Sequence, residues 1–106
     1  MDRASRFDML QEMLVKEPND VFLNYALGIE LEKEGKFDEA SQQYLKTLQI
    51  NKEYLPCFYR LGQLAEQIKG KEEAISYYKQ GAELAKKHGD RKTEGEMNEA
   101  IFLLED

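Results

Sequence analysis

One spacing constrains this chain more than any other feature. Leu27-Gly28, Ala40 and Tyr44 recur 34 residues later as Leu61-Gly62, Ala74 and Tyr78, and the pairs Tyr25/Tyr59, Glu32/Glu66 and Glu39/Glu73 keep the same offset. A fixed period of about 34 residues marks a two-helix unit that cannot bury its apolar face alone and stacks on copies of itself. The chain of 106 residues fits a single domain over 1–106. Apolar residues at 42% suffice for a packed core, and charged residues at 34% suit solvated helix faces. Two prolines against abundant Glu, Lys, Leu, Ala and Gln favour helices.

Six helices follow from the pattern. Over 3–16, Phe7, Leu10 and Leu14 share a face that Met9 and Met13 widen, and Pro18 ends the helix because the residue before proline avoids helical angles. Asn19 or Asp20 can cap a second helix over about 20–34, in which Leu27 and Leu31 share a face. Gly28 lies beside them. A mid-helix glycine costs about 1 kcal/mol relative to alanine, and close approach of a neighbouring helix offsets that cost. Gly35 suits the left-handed residue after the helix end. A third helix spans about 37–50 with Ala40, Tyr44 and Leu48 inside; Asp38 and Glu39 in its first turn suit the helix dipole. Pro56 is tolerated in the first turn of a fourth, about 55–69, where Leu61, Gly62 and Ala65 repeat the second helix. Gly70 turns the chain into a fifth, about 71–87, with Ala74, Tyr78 and Ala82 inside, and Gly89 ends it. A sixth covers about 90–104, with Met97, Ala100, Ile101 and Leu104 on one side. The short connections make consecutive helices antiparallel neighbours.

These residues resemble the tetratricopeptide repeat family, whose pattern is W-x2-L-G-x2-Y, then A-x3-F, then P. Repeat one, 21–54, has Asn24 for the tryptophan, then Leu27-Gly28, Leu31 for the tyrosine, Ala40 and Tyr44, with Lys52 for the closing proline. Repeat two, 55–88, has Phe58, Leu61-Gly62, Ala65, Ala74, Tyr78 and Lys86 at those places. Leu10 and Pro18 have the spacing of the aromatic and closing proline, so 3–18 resembles the second half of a preceding repeat. The helix over 90–104 resembles the first half of a following one, with Gly95-Glu96 where Leu-Gly belongs, and reads as a solvating cap. The resemblance implies an all-α, antiparallel helix-turn-helix repeat solenoid of two full repeats plus an extra helix at each end.

Catalysis needs convergent titratable groups or a cofactor cradle. Cys57 and His88 are single examples of their kinds, almost a repeat apart, and read as a packing residue and a helix-end cation. One Cys and one His make no zinc ligand set. Gly35-Lys36 and Gly70-Lys71 lack the other glycine and the Ser/Thr of a phosphate loop. Glu30 and Glu34 read as a solvated face, and the four methionines as filler. No enzyme, metal or cofactor is expected. The net charge of −6 disfavours nonspecific nucleic-acid binding. No run of 18 apolar residues offers a membrane span, the N-terminus lacks the apolar core of a signal peptide, and one cysteine forms no internal disulfide. A cytoplasmic protein is the default, unless a leader has been removed.

What remains is a surface. The resemblance implies that the first helix of each repeat lines a concave groove. Phe22, Tyr25, Ile29 and Glu32 recur on one face of the second helix, and Tyr59, Gln63 and Glu66 on the fourth, with Met97 at the far end. Tyr25 and Tyr59 are expected side by side. Such a strip suits a protein or peptide segment with apolar and basic groups. Family members that grip the C-terminal carboxylate of heat-shock chaperones carry Lys and Asn on the first such helix, Asn on the second, and Lys and Arg on the third. Tyr25, Ile29, Arg60, Asp90 and Glu94 occupy those places here, so an acidic tail is repelled. An alternative is a self-assembling structural protein. Phe102 and Leu103 fall outside the inner stripe of the last helix and leave apolar surface for a weak homodimer, with a monomer expected in dilute solution.

Overall fold

The computed structural model describes residues 3–105, so residues 1, 2 and 106 of the expected 1–106 span lie outside it. Among the described residues there are six α-helices and no strand: α1 (Arg3–Lys16), α2 (Val21–Lys33), α3 (Phe37–Ile50), α4 (Pro56–Ile68), α5 (Lys71–Lys87) and α6 (Arg91–Leu104). They group into two compact units, residues 1–52 and residues 53–106.

In the first unit α2 packs on both α1 and α3. Asp20 caps α2, its Oδ1 accepting the Leu23 N–H at 2.9 Å, which satisfies a donor that the helix leaves open. The far end closes through Gly35 at φ 76°, where the Gly35 N–H reaches the Glu32 carbonyl and the Lys36 N–H the Leu31 carbonyl. Leu23, Leu27 and Leu31 form the buried face of α2, with Ala40 and Tyr44 opposite them on α3. Asn24, in the place of the expected tryptophan, is also buried, and every polar atom it offers is used. Its Nδ2 donates to the carbonyls of Pro18 (3.0 Å) and Asp20 (2.8 Å), and its Oδ1 accepts from Gln43 Nε2 at 2.7 Å. One amide thus ties the α1–α2 turn to α3, which is how a polar group becomes tolerable in a core.

Two expectations for this unit need correction. Glu30 is not on a solvated face. It is buried, with Lys33 Nζ 3.4 Å from its Oε2 and Arg6 Nε 3.6 Å from its Oε1. The two cations keep its charge from standing alone in the interior. Met9 and Met13 do not widen the buried face of α1; both are exposed, as is Val15, while Phe7, Leu10 and Leu14 are half-buried. Among the described residues α1 packs chiefly on α2, so it buries one narrow stripe.

In the second unit α5 packs on α4 and α6. Cys57, Phe58, Leu61, Leu64 and Ala65 of α4 are buried, as are Ala74, Tyr78, Ala82 and Ala85 of α5. Gly89, at φ 72°, closes α5 as Gly35 closes α2, and Asp90 caps α6 through the Thr93 N–H at 3.1 Å. His88 ends α5 as expected, but it also has a partner. Glu53 accepts from Lys87 Nζ at 2.9 Å and lies 2.8 Å from His88 Nε2. Lys87 first, and then His88, hold the Glu53 carboxyl down to about 2.

Candidate functional site

Each repeat builds the same four-residue device. A Cβ at Gly28 would lie 2.4 Å from Cε1 of Tyr44, and one at Gly62 would lie 2.3 Å from Cε1 of Tyr78. The glycine in the first helix is therefore the seat of the tyrosine ring from the second. With the ring laid across the helix, its hydroxyl reaches a carboxylate one turn further on. Tyr44 Oη donates to Glu32 Oε1 and Tyr78 Oη to Glu66 Oε2, both at 2.5 Å. The other side of each ring supports a surface tyrosine. The Tyr25 and Tyr44 centroids are 5.7 Å apart and the Tyr59 and Tyr78 centroids 5.8 Å, tilted by 43° and 53°, within the separations at which aromatic pairs attract. Tyr25 and Glu32, or Tyr59 and Glu66, are two turns apart on one helix and are joined through a single buried ring.

Burial, the hydrogen bond to Glu66, and the charges of Glu66 and Tyr59, in that order, push the Tyr78 phenol above its ordinary value. The neutral phenol is the form that the fold holds. Its contribution is complete below the ordinary phenol pKa of about 10 and is lost as pH rises beyond it. Urea unfolding should therefore show wild-type stability falling between about pH 9 and pH 11 more steeply than that of Tyr78→Phe, which has no proton to lose. Parallel pH dependences would remove Tyr78 from the alkaline transition.

The expected site residues fall into two groups. In the first unit Phe22 is 66% exposed, while Tyr25, Ile29 and Glu32 are half-buried. In the second unit Tyr59, Gln63 and Glu66 are exposed along one stripe of α4 and share a recess of about 430 Å³. Met97 does not contribute a groove surface, because it is 0% exposed. Its side chain fills the space over Gly81, where a Cβ would lie 2.6 Å from Met97 Cε, so it belongs to the α5–α6 core.

The far wall of the recess comes from α6 and was not anticipated. Glu96, Glu99, Ala100, Leu103 and Leu104 line it, above the buried Tyr78. The α6 stripe Glu96-Ala100-Leu103 has the same internal spacing as Tyr59-Gln63-Glu66, but lies three residues beyond the 34-residue period. The slip accompanies α5, which runs 17 residues against 14 for α3. Placing Gly95-Glu96 on the Leu-Gly pair therefore put α6 in the wrong phase. The run of apolar and acidic positions at helical spacing was the available signal. Among the described residues no group of three or more His, Cys, Asp or Glu side chains could hold a metal ion, and no helix is long and apolar enough to cross a membrane.

Known proteins share this fold. Residues 55–88 match the sequence model of a family described as tetratricopeptide repeat. The solution NMR structure of a tetratricopeptide repeat domain protein from Salinibacter ruber is similar at a TM-score of 0.77 and 31% identity, over 83% of this chain and 89% of that one. The crystal structure of the Salinibacter ruber tetratricopeptide repeat domain protein gives 0.73 at 29% identity, over 80% and 94%. A Bordetella parapertussis protein solved in solution reaches 0.82 at 20% identity over 92% and 85%, a likeness of fold. No curated protein matches the chain.

Proposed function

We propose that this chain, which belongs to the tetratricopeptide repeat family, is a non-enzymatic protein–protein interaction module that binds a peptide or helix segment through the Phe22-Tyr25-Ile29-Glu32 stripe of α2 and the Tyr59-Gln63-Glu66 stripe of α4. The family is generally an interaction fold rather than a catalytic one, and the fold by itself names no partner.

One observation carries the reading: the repeated device in which a buried tyrosine fixes a surface tyrosine and a carboxylate on the same helix. An aromatic side chain already held in place loses little freedom on binding, which makes it an effective anchor. Tyr25, with Phe22 and Ile29, supplies apolar area in the first unit, and Tyr59 with Gln63 does so in the second. Glu32 and Glu66 each accept a tyrosine hydroxyl and place a carboxylate beside these apolar side chains, so the partner is an apolar segment carrying Lys or Arg. The test is affinity capture from a cell lysate with the wild type and with a folded Tyr25→Ala/Tyr59→Ala variant. The partner should be retained by the first and lost by the second.

A second reading, self-association through α6, is supported by Phe102 and Leu103, which are 76% and 74% exposed. Light scattering at several concentrations should give the monomer mass in dilute solution. A dimer that survives Phe102→Ser/Leu103→Ser would take that surface out of consideration.

A further inference from the structure

We infer that the recess between α4 and α6 seats a lysine or arginine side chain of the partner, with Glu96 and Glu99 as the residues that select it and Leu103 as the support for its aliphatic stem. The inference rests on the reading of the chain as a peptide-binding module and adds to it a specific seat on a helix that the repeat pattern left as a cap.

The lining fits one chemistry. Its charged groups are Glu66, Glu96 and Glu99, and no basic side chain lines it among the described residues. Glu66 already accepts the Tyr78 hydroxyl, which leaves Glu96 and Glu99 as the carboxylates not engaged with the protein's own tyrosine. Both are exposed on α6, and neither pairs with a basic side chain among the described residues. They stand three residues apart on one helix, a spacing at which like charges repel, and a bound cation relieves that repulsion. Beside the carboxylates and Gln63 the recess has an apolar strip on α6. Leu103 is largely exposed and Ala100 and Leu104 are half-buried, surfaces on which the methylene stem of a long cation can lie while its head meets the carboxylates. The exposed ring of Tyr59 adds a face that attracts cations. A volume of about 430 Å³ leaves room for a long side chain. An acidic or purely apolar ligand would leave the carboxylates repelled or desolvated without a partner.

The seat can be probed without the natural partner. The ¹⁵N-labelled full chain is titrated with acetyl-Leu-Arg-amide, acetyl-Leu-Lys-amide, and the neutral acetyl-Leu-citrulline-amide. The Arg and Lys probes should give saturable amide shifts confined to residues 96–104 and to Gln63 and Glu66, in the millimolar range expected of so small a ligand. The citrulline probe should bind roughly tenfold more weakly, and Glu96→Gln/Glu99→Gln should lose a similar factor toward the cations while its own spectrum stays folded. Equal binding of citrulline, unsaturable shifts, or undiminished cation binding by the Gln variant would each overturn the assignment. Capture from lysate separates this from the parent reading. If the Gln variant retains the partner as the wild type does while Tyr25→Ala/Tyr59→Ala loses it, the seat is wrong and the module stands. If the probes behave as expected but the tyrosine variant still retains the partner, the seat stands and the tyrosine stripes do not.

Discussion

Gly62→Leu should destabilise the protein by about 1–3 kcal/mol, although leucine is the better helix former by nearly 1 kcal/mol. The reason is the position of one ring. A Cβ at residue 62 would lie 2.3 Å from Tyr78 Cε1 and 2.6 Å from Cζ, far inside contact distance. Tyr78 has nowhere to go: it is 1% exposed, its hydroxyl is held by Glu66, and its face supports Tyr59. Moving the ring would give up the burial, the hydrogen bond and the aromatic contact together. Gly28→Leu should behave alike, since Cε1 of Tyr44 lies 2.4 Å from the corresponding Cβ. The control lies on α6. Gly95 is also inside a helix, but a Cβ there meets nothing within 4 Å, so Gly95→Ala should stabilise by about 1 kcal/mol through propensity alone. Urea titrations of the three variants decide the matter. Gly62→Leu or Gly28→Leu at wild-type stability or above would show that the ring is not locked onto the helix.

The glycine positions also show how much of the fold is legible in the residues. A glycine in mid-helix at two points one period apart has no local justification, so its recurrence points to a close approach from outside the helix. What approaches is a ring rather than a helix backbone, and that could be read only from the equal recurrence of Tyr44 and Tyr78. Helix ends were legible because their signals are local: Asp20 as a cap, Pro56 in a first turn, Gly35 and Gly89 at left-handed angles. Three features were not legible, each because it depends on tertiary placement. Glu30 looks like any surface glutamate beside Lys33 on its own helix until α1 brings Arg6 to it. Met97 has groove spacing in the sequence, yet the empty place over Gly81 draws it into the core. The acidic wall of α6 follows a phase that slips by three residues, and a search at the fixed 34-residue period misses it.

Binding should fall by roughly 2 kcal/mol for each anchor when Tyr25 or Tyr59 is truncated to alanine, and the double variant should hold its partner too weakly for recovery. Each side chain presents a large, stiff aromatic surface whose rotamer is already fixed by the ring beneath it, so most of its buried area converts to affinity. Removing it exposes the face of Tyr44 or Tyr78 without opening the Gly28 or Gly62 seat, so the loss of stability should be the smaller effect. Glu32→Gln/Glu66→Gln provides the contrasting arm. Amides can still accept the tyrosine hydroxyls, so the device stays assembled while its charge is gone. That variant should bind somewhat more weakly than wild type at low salt and nearly as well at high salt, because exposed charges act mainly on encounter and are screened. Calorimetry with the captured partner reads both arms. If the tyrosine variant, folded by its spectrum, binds as tightly as wild type, the stripes of α2 and α4 are not where the partner sits, and the exposed faces of α1 and α6 become the next surfaces to truncate.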